Sequence, residues 1–252
     1  MSRHTSWRAG GAARHYYTPV DVQDLAVFLQ QLDVDEPLLW VGLGSNLLVR
    51  DGGFPGTVIC VHAVVTALDW LDDTTLRAGA GVTCAKAARV TTRAGLTGIE
   101  FLAGIPGTVG GALAMNAGAF GGETWSQVAA VETIDRSGQL HTRMPSEYRV
   151  AYRSVRGPEN EWFLAAHFAL QAGDAEQAQA RIRDLLAQRG ASQPVQQYSC
   201  GSVFRNPPGD HAARLIEASG LKGKRIGGAQ VSEMHANFIV NTGNASAADI
   251  ET

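Results

Sequence analysis

The most informative segment of the chain for its fold is Gly98-Ile-Glu-Phe-Leu-Ala-Gly104-Ile105-Pro106-Gly107-Thr-Val-Gly110-Gly111, and Asn116-Ala-Gly118 follows it closely. The surrounding region is dense in glycine, since eleven of the 29 glycines of the chain fall within residues 79–122. A segment with so few polar side chains binds a ligand through its backbone, and glycine lets that backbone approach a phosphate closely. We therefore predict a cofactor loop in which apolar side chains form a wall beside a flat ring. A glycine-rich packing corner is the alternative.

A second glycine-containing loop follows a short, nearly all-apolar run at residues 37–43, which predicts a buried strand. The run leads into Gly42-Leu-Gly44-Ser45-Asn46, where amide groups and two short polar side chains can form a nest for pyrophosphate oxygens. This is not the Gly-x-Gly-x-x-Gly dinucleotide fingerprint, because that motif opens a helix and residues 46–50 are predicted to form another strand. An ordinary tight hairpin is the alternative interpretation.

Composition and charge limit the classes of partner. The chain has 252 residues, of which 45% are hydrophobic and 18% charged, so it is long enough for two domains with separate cores. A net charge of −3 provides no general basic field for nucleic acid or an anionic membrane, and we expect neither as a partner. Cys60, Cys84 and Cys200 form no Cys-x-x-Cys pair, which argues against disulfides and a zinc site, so no metal is predicted.

The polar amino terminus lacks the apolar region of a secretory signal, and no apolar run is long enough to span a bilayer. We therefore expect a cytoplasmic protein.

The order of predicted elements is mixed and lacks the regular alternation of parallel α/β folds. Helices are predicted at 19–32, 84–94, from 174 onwards and at 211–219, and strands at 37–43, 46–50, 57–61, 75–79, 128–134, 139–143, 162–170 and 237–240. The pattern changes to a charged amphipathic helix at Asp174, which places a domain boundary near Gly173. Ser246 and Asp249 form an N-terminal capping pattern, and we expect the native protein to continue beyond Thr252.

Several motifs occur in an order that identifies a family. They are Thr5…Gly10-Gly11, Gly42-x-Gly-Ser-Asn46, Gly104-Ile-Pro-Gly-x-x-Gly-Gly111, Asn116-Ala-Gly-Ala-Phe-Gly121, Tyr152-Arg153-Ser154 and Gly201-Ser202-Val-Phe-x-Asn206-Pro207. Through them the chain resembles, from about residue 5 to residue 244, the UDP-N-acetylenolpyruvoylglucosamine reductases, also called UDP-N-acetylmuramate dehydrogenases or MurB. The resemblance implies an α+β fold with a FAD-binding domain of the vanillyl-alcohol-oxidase (PCMH) type in two lobes and a smaller C-terminal α+β substrate domain. We accordingly predict a FAD-binding domain at 1–173, with lobes at about 1–65 and 66–173, and a substrate-binding domain at 174–252 whose C-terminal end is truncated.

The resemblance also implies the cofactors and the reaction. Members of the family bind FAD, accept a hydride from NADPH and reduce the enolpyruvyl ether of a UDP-sugar, UDP-N-acetylglucosamine enolpyruvate, to UDP-N-acetylmuramate for peptidoglycan synthesis. The residues expected to bind FAD are Gly42, Gly44, Ser45, Asn46, Gly104, Ile105, Pro106, Gly107, Gly110, Gly111, Asn116 and Gly118.

By motif position, Arg153 resembles the catalytic arginine of the family, Ser202 its proton donor and Asn206 a substrate contact. Arg205 and Lys222 are predicted to bind the UDP diphosphate by their charge, and Lys222 also matches a lysine of the family. The residue types suit the chemistry, because a guanidinium stabilises the enolate-like anion that hydride addition produces next to a carboxylate. A serine hydroxyl can protonate such a basic carbon if neighbouring groups stabilise the alkoxide. Without the family, a surface ion pair would explain Arg153, and a turn or cap would explain Ser202.

The chain departs from the family in its third catalytic residue, a glutamate that is expected beyond Thr252. The segment between Arg189 and Ser202 is short, which resembles the compact subtype of the family.

Two alternative functions stay open. One is a flavin-dependent sugar or alcohol oxidase of the same fold, and the other is an inactive module that binds FAD or a UDP-sugar. Cys200 is not predicted to be a nucleophile, because no paired histidine motif accompanies it.

Overall fold

The computed structural model describes all residues from Met1 to Thr252. In chain order, its helices and strands are β1 (Ala13–Tyr17), α1 (Val22–Gln31), β2 (Leu38–Val41), β3 (Phe54–Cys60), β4 (Leu68–Trp70), β5 (Thr75–Gly79), α2 (Cys84–Arg93), β6 (Leu96–Thr97), α3 (Val109–Met115), β7 (Gly118–Ala119), β8 (Gly122–Glu123), β9 (Val128–Asp135), β10 (Leu140–Arg143), β11 (Arg149–Ala151), β12 (Ser154–Arg156), β13 (Glu161–Ala169), β14 (Gln171–Ala172), α4 (Ala175–Ser192), α5 (Ala212–Ala218), β15 (Arg225–Ile226), β16 (Ala229–Val231), β17 (Ile239–Asn241) and α6 (Ala247–Glu251). None of the helices combines the length and apolar character needed to cross a membrane.

The largest sheet has the strand order β10-β9-β13-β5-β4, and each of its pairs is antiparallel. Alternation along β5 buries Leu76 and leaves Arg77 partly exposed, and Leu76, Val131 of β9 and Phe168 of β13 are fully buried in one core. Helices α2 and α3 contribute to the same hydrophobic core. This core supports the glycine-rich segment that joins the two helices.

The chain forms two compact units, and neither is a continuous segment. Unit 1 comprises Met1–His15, Leu43–Thr57 and Ala187–Thr252, and unit 2 comprises Tyr16–Gly42 and Val58–Leu186. These units divide the chain differently from the predicted ranges 1–65, 66–173 and 174–252. The assignment of FAD binding and substrate binding to those ranges stays a prediction.

Unit 1 joins the ends of the chain through a small core. Trp7 and Ile250 are both buried in it, together with Cys200. The Trp7 indole donates to the Ile239 carbonyl at 2.7 Å, and the Asn241 amide donates to the Trp7 carbonyl at 2.7 Å. Sequence periodicity does not reveal such contacts, because they connect residues more than 230 positions apart.

The strand predicted at residues 46–50 does not form. The segment consists of turn and irregular backbone, and the Arg50 carbonyl accepts hydrogen bonds from the amides of Gly11 and Gly53 at 3.1 and 2.8 Å. Those bonds turn the chain back on itself, whereas a strand would direct its carbonyls into a ladder. The loop after Gly42 is therefore longer than the sequence pattern indicated.

Helix α6 is short but well anchored. Ser246 and Asp249 form the predicted capping box, and the carboxylate of Asp51 accepts the amides of Ala247 and Ala248 at 2.9 and 3.0 Å. The Asp51 carboxylate therefore supplies acceptors for amides that a helix end leaves unpaired.

Candidate active site

The first glycine-rich loop lies in unit 2 and runs from the 3-10 helix Glu100–Gly104 into α3. Thr108 caps α3, and its hydroxyl accepts the Gly111 amide at 3.3 Å. The amides of Val109 and Gly110 donate to the carbonyls of Val82 and Ala80 at 2.8 and 2.9 Å. The first turn of α3 therefore uses these three amides within the protein.

The glycines of this loop fall into two groups. A side chain at Gly110 would place its Cβ atom 2.8 Å from the Cβ of Ala80, and one at Gly104 would lie 2.7 Å from the Phe120 ring. Gly111 is exposed, and the nearest atom to its added Cβ would be the Thr108 hydroxyl oxygen at 3.7 Å. Packing within the protein explains Gly104 and Gly110, whereas Gly111 leaves space for a ligand against its backbone.

Gly42 brings the two predicted glycine loops together within unit 2. A Cβ atom at Gly42 would lie 2.5 Å from the Thr108 hydroxyl oxygen, so the end of β2 lies directly against the cap of α3. The sequence separates these positions by a large interval, and no local pattern indicates their contact. Thr108 is thus a residue of the site that sequence reasoning missed.

We expect Gly42→Ala to lower the free energy of unfolding of flavin-free protein by about 1–3 kcal/mol, because the added methyl group overpacks the Thr108 contact. Gly111→Ala is the matched control, and we expect its unfolding free energy to change by no more than about 1 kcal/mol. Urea unfolding of both variants measures the difference. Equal stabilities for the two variants would contradict the packing role of Gly42.

Ser45 and Asn46 form a turn in unit 1, immediately after Gly44. Gly44 has φ +63°, and an added Cβ atom would lie 2.0 Å from the His4 carbonyl oxygen, so only glycine fits there. The side chains of Ser45 and Asn46 form no hydrogen bond with the protein. They are therefore polar groups that can bind a ligand without first breaking an internal contact.

Arg153 lies at the turn of a hairpin in unit 2. Strands β11 and β12 pair over three residues each, and Tyr152 and Arg153 connect them. Arg153 has φ +50°, which is uncommon for a residue with a long side chain. Asn116 is buried and donates to the Ala151 carbonyl at 3.3 Å, at the end of the strand that leads into this turn.

Ser202 lies in a loop of unit 1 that is anchored on both sides. On one side, the Cys200 thiol lies 3.5 and 3.6 Å from the carbonyl oxygens of Gly44 and Leu47, at hydrogen-bond distance. On the other side, Asn237 accepts the Phe204 amide at 2.9 Å and donates to the Phe204 carbonyl at 2.8 Å. Sequence reasoning missed Asn237 as an anchor, although a polar residue beside an apolar strand was the available signal.

The Cys200 side chain has the properties of a structural thiol. It is only 5% exposed, and burial raises the pKa of the thiol. A reactive cysteine requires the thiolate form and access to solvent, and both are disfavoured here. The sequence interpretation of Cys200 is therefore supported, and all three cysteines are free and buried.

We expect iodoacetamide to leave all three cysteines of the native protein unmodified at neutral pH and to label them after denaturation. Burial raises the pKa of Cys84 to about 12, which also keeps that thiol protonated. Mass spectrometry of the intact protein before and after denaturation gives the number of labels. Rapid labelling of Cys200 in native protein would show that the Ser202 loop opens readily.

The predicted substrate contacts occupy the surface near α5 in unit 1. Asn206 is exposed, and its side-chain oxygen accepts the Ala212 amide at 3.0 Å, so its NH₂ group is the part that can reach a substrate. Arg205 is also exposed. The Lys222 ammonium group donates to Glu217 at 3.0 Å. Burial of the His235 imidazole lowers its pKa, and the positive charge of Lys222 lowers it further by a smaller amount.

A separate cavity of about 470 Å³ lies in unit 1, between the segment after α4 and strands β16 and β17. Arg225, Ser232 and Glu233 line it, but none of the predicted catalytic or substrate-binding residues does. The structure groups no three His, Cys, Asp or Glu side chains in a way that could hold a metal ion.

Two family patterns match the sequence. A pattern described as "FAD binding domain" matches residues 13–143, and one described as "UDP-N-acetylenolpyruvoylglucosamine reductase, C-terminal domain" matches residues 193–252. The C-terminal pattern contains the predicted residues Ser202, Arg205, Asn206 and Lys222. Arg153 lies between the two patterns.

Similar proteins cover the whole chain. UDP-N-acetylenolpyruvoylglucosamine reductases of Alkalilimnicola ehrlichii and Methylococcus capsulatus are 61% and 58% identical to it over 251 and 252 residues, and the matched regions span 84% and 83% of those proteins. The crystal structure of the corresponding reductase (MurB) from Thermus caldophilus covers 99% of the chain, and 89% of that structure is matched, with a TM-score of 0.88 and 35% identity. A glucose dehydrogenase, Phl p 4.0202, shares the fold over 67% of the chain, with a TM-score of 0.50, 17% identity and 38% of its own length matched.

Proposed function

Because the chain belongs to the UDP-N-acetylenolpyruvoylglucosamine reductase family, we propose that it reduces UDP-N-acetylglucosamine enolpyruvate to UDP-N-acetylmuramate, with FAD as cofactor and NADPH as electron donor. The anchored loop of Ser202 is the structural observation that carries this proposal. Its two flanking anchors, Cys200 and Asn237, fix the backbone on both sides of the hydroxyl group that we propose as the proton donor.

The predicted FAD residues differ in how much the protein itself already uses them. In unit 1, Ser45 and Asn46 offer polar side chains that the protein does not use, and they would hold phosphate oxygens. In unit 2, Gly111 offers an open backbone and Pro106 is exposed. Gly118 is exposed as well, but a Cβ atom there would lie 2.8 Å from the Gly122 carbonyl oxygen. Packing within the protein explains why glycine occupies positions 42, 44, 104 and 110, and these residues stay predicted FAD contacts together with Ile105 and Gly107. Bound FAD supplies the hydride, obtained from NADPH, that adds to the terminal vinyl carbon of the substrate.

We expect Gly111→Ala to weaken FAD binding, because the methyl group occupies the open backbone surface at this position. Titration of flavin-free protein with FAD, followed by flavin fluorescence, measures the dissociation constant. Gly52→Ala is the control, since a Cβ atom at Gly52 would meet nothing within 4 Å and Gly52 has no predicted ligand role. An unchanged FAD dissociation constant for Gly111→Ala would contradict this placement.

Arg153 supplies the fixed positive charge for the substrate. Hydride addition moves negative charge onto the carbon next to the carboxylate and onto the carboxylate oxygens. A guanidinium group binds a carboxylate through two parallel hydrogen bonds and stays charged at any working pH. The hairpin turn therefore presents a group that stabilises the anion more strongly than the starting substrate.

Ser202 supplies the proton that completes the reaction. The hydroxyl transfers its proton to the carbon that bears the ether oxygen, and a new C–H bond forms while the serine becomes an alkoxide. The exposed guanidinium of Arg205, three residues further along the chain, can stabilise that alkoxide by its charge. Solvent then returns a proton to Ser202.

Product analysis in deuterated water tests the function. We expect incubation with NADPH and UDP-N-acetylglucosamine enolpyruvate to yield UDP-N-acetylmuramate with solvent deuterium at the carbon next to the carboxylate. Oxygen consumption with a sugar or alcohol, and no reduction of the UDP-sugar, would instead support the oxidase alternative. Bound flavin without any turnover would support the inactive module.

The proposal extends to the cellular role. A UDP-N-acetylmuramate-forming enzyme supplies peptidoglycan synthesis and thereby cell shape and cell division. The absence of a general basic field and the free cysteines support a cytoplasmic location without a nucleic-acid partner. Cell fractionation tests the location, and recovery in the membrane or periplasmic fraction would contradict it.

A further inference from the structure

We propose that Asn116 is a positioning residue for Arg153, and that it acts through the backbone carbonyl of Ala151. The inference rests on the proposed function, in which Arg153 binds the substrate carboxylate. It differs from the role suggested by the sequence motif, which places Asn116 among the FAD contacts.

The Asn116 side chain is fully engaged with the protein. It is 3% exposed, and its NH₂ group donates to the Glu123 carboxylate at 3.0 Å and to the Ala151 carbonyl at 3.3 Å. Its oxygen accepts the Trp125 amide at 3.2 Å. Because the Trp125 amide can only donate, the oxygen must face it and the NH₂ group must face the two acceptors. Both donor hydrogens are therefore used, and none remains for a FAD phosphate.

A hydrogen bond to the Ala151 carbonyl constrains the hairpin directly next to its turn. Ala151 is the last residue of β11 and pairs with Ser154, so only Tyr152 and Arg153 separate the two strands. A two-stranded hairpin of this size has little stability of its own. Val155 of β12 packs against the core, whereas the β11 residues Val150 and Ala151 are exposed. The hydrogen bond from Asn116 thus fixes the strand that the hydrophobic core does not hold.

The backbone of Asn116 explains why asparagine suits this position. Asn116 ends α3 with φ +41° and ψ +54°, and asparagine and glycine tolerate this left-handed conformation better than other residues. Glycine would keep the helix end but remove the bond to Ala151. Ionised aspartate would keep the acceptor for Trp125, but it would face the Glu123 carboxylate and the Ala151 carbonyl with no donor.

The test separates the two half-reactions of the FAD-loaded enzyme. For Asn116→Gly we expect normal FAD content and an unchanged rate of flavin reduction by NADPH. We expect flavin reoxidation by UDP-N-acetylglucosamine enolpyruvate to slow by about 10–100-fold, because a displaced Arg153 stabilises the anion poorly. Asn160→Gly is the matched control, since Asn160 also has a left-handed φ of +55° in unit 2 but has no role in the proposed site, and it should behave like the parent enzyme.

A second variant provides a readout that a merely structural role would not change. For Asn116→Asp we expect slow reoxidation at neutral pH and a relative recovery as the pH falls, because a protonated aspartic acid can again donate a hydrogen bond. Asn116→Gly should show no such recovery. The pH profile of Asn116→Asp, compared with that of the parent enzyme, decides the question even if Asn116→Gly fails to fold.

Two results would overturn the proposal. One is reoxidation of folded Asn116→Gly at the parental rate, and the other is loss of FAD or slow reduction by NADPH, which would make Asn116 a cofactor residue. Arg153→Ala, measured in the same assays, distinguishes failure of the Asn116 proposal from failure of the proposed function. If Arg153→Ala reoxidises normally, the role of Arg153 in the proposed function fails, whatever Asn116 does.

Discussion

Arg153→Ala is expected to slow reduction of UDP-N-acetylglucosamine enolpyruvate by about 10²–10³-fold, while FAD stays bound and NADPH reduces it at the parental rate. The guanidinium is the only part of the Arg153 side chain that can bind a carboxylate through two hydrogen bonds, and alanine removes it entirely. The loss should fall on kcat more than on the binding of the UDP moiety, because the charge of the anion develops during the reaction.

A second variant, Arg153→Lys, separates the effect of the positive charge from that of the guanidinium geometry. Lysine keeps the positive charge at the turn between β11 and β12 but lacks the planar fork, so we expect partial activity between that of alanine and arginine. Single-turnover kinetics of both half-reactions measure the effect. If Arg153→Ala loses its flavin, Arg153 belongs to the cofactor site and is not the residue that binds the substrate carboxylate.

Ser202→Ala is expected to lower overall turnover by about 10²–10⁴-fold, because alanine cannot donate the proton that the carbon next to the carboxylate requires. Reduction of the flavin by NADPH should be unaffected. The bonds of Cys200 and Asn237 with the flanking backbone do not involve the Ser202 hydroxyl, so the loop should keep its conformation.

The control for Ser202 is Ser219→Ala. The Ser219 hydroxyl donates to the Leu215 carbonyl at 2.9 Å on the exposed surface of α5, outside the proposed reaction centre. We expect parental turnover for this variant. Parental turnover of Ser202→Ala in steady-state assays, with protonation shown to limit the rate, would exclude Ser202 as the proton donor.

The elements with strong local patterns were predicted well. The strand predicted at residues 75–79 is β5, and the helix predicted at 84–94 is α2, which Thr83 caps. The hairpin around residues 135–138 is also confirmed, since β9 and β10 pair in antiparallel register. Alternation, helical spacing and turn residues determine such elements locally, and they are visible in the sequence.

The failures depend on contacts between distant residues. The segment at 46–50 has the apolar character of a strand, but its carbonyls bind Gly11, Gly53 and Cys200 and not a neighbouring strand. The division into units likewise depends on the packing of Trp7 against the C-terminal segment. Neither relation leaves a periodic pattern in the sequence.

The fold class and the enzyme class predicted from the motifs are confirmed by the comparisons, which show a FAD-binding domain and a C-terminal domain of this reductase family. The roles of individual residues are harder to predict from the sequence, because a glycine in a motif can be required either by packing or by the close approach of a ligand. Gly110 lies against Ala80, whereas Gly111, its neighbour, is open. Only the structure separates these two reasons for the same residue type.

The proposed function requires that the flavin passes its electrons to the enolpyruvyl group of a UDP-sugar. Anaerobic stopped-flow absorbance tests it directly: the purified FAD-bound protein is reduced with NADPH and then mixed with UDP-N-acetylglucosamine enolpyruvate. We predict bleaching of the flavin band by NADPH and its rapid return on addition of the substrate. Bleaching that persists in the presence of substrate, followed by return only when oxygen is admitted, would contradict the claim.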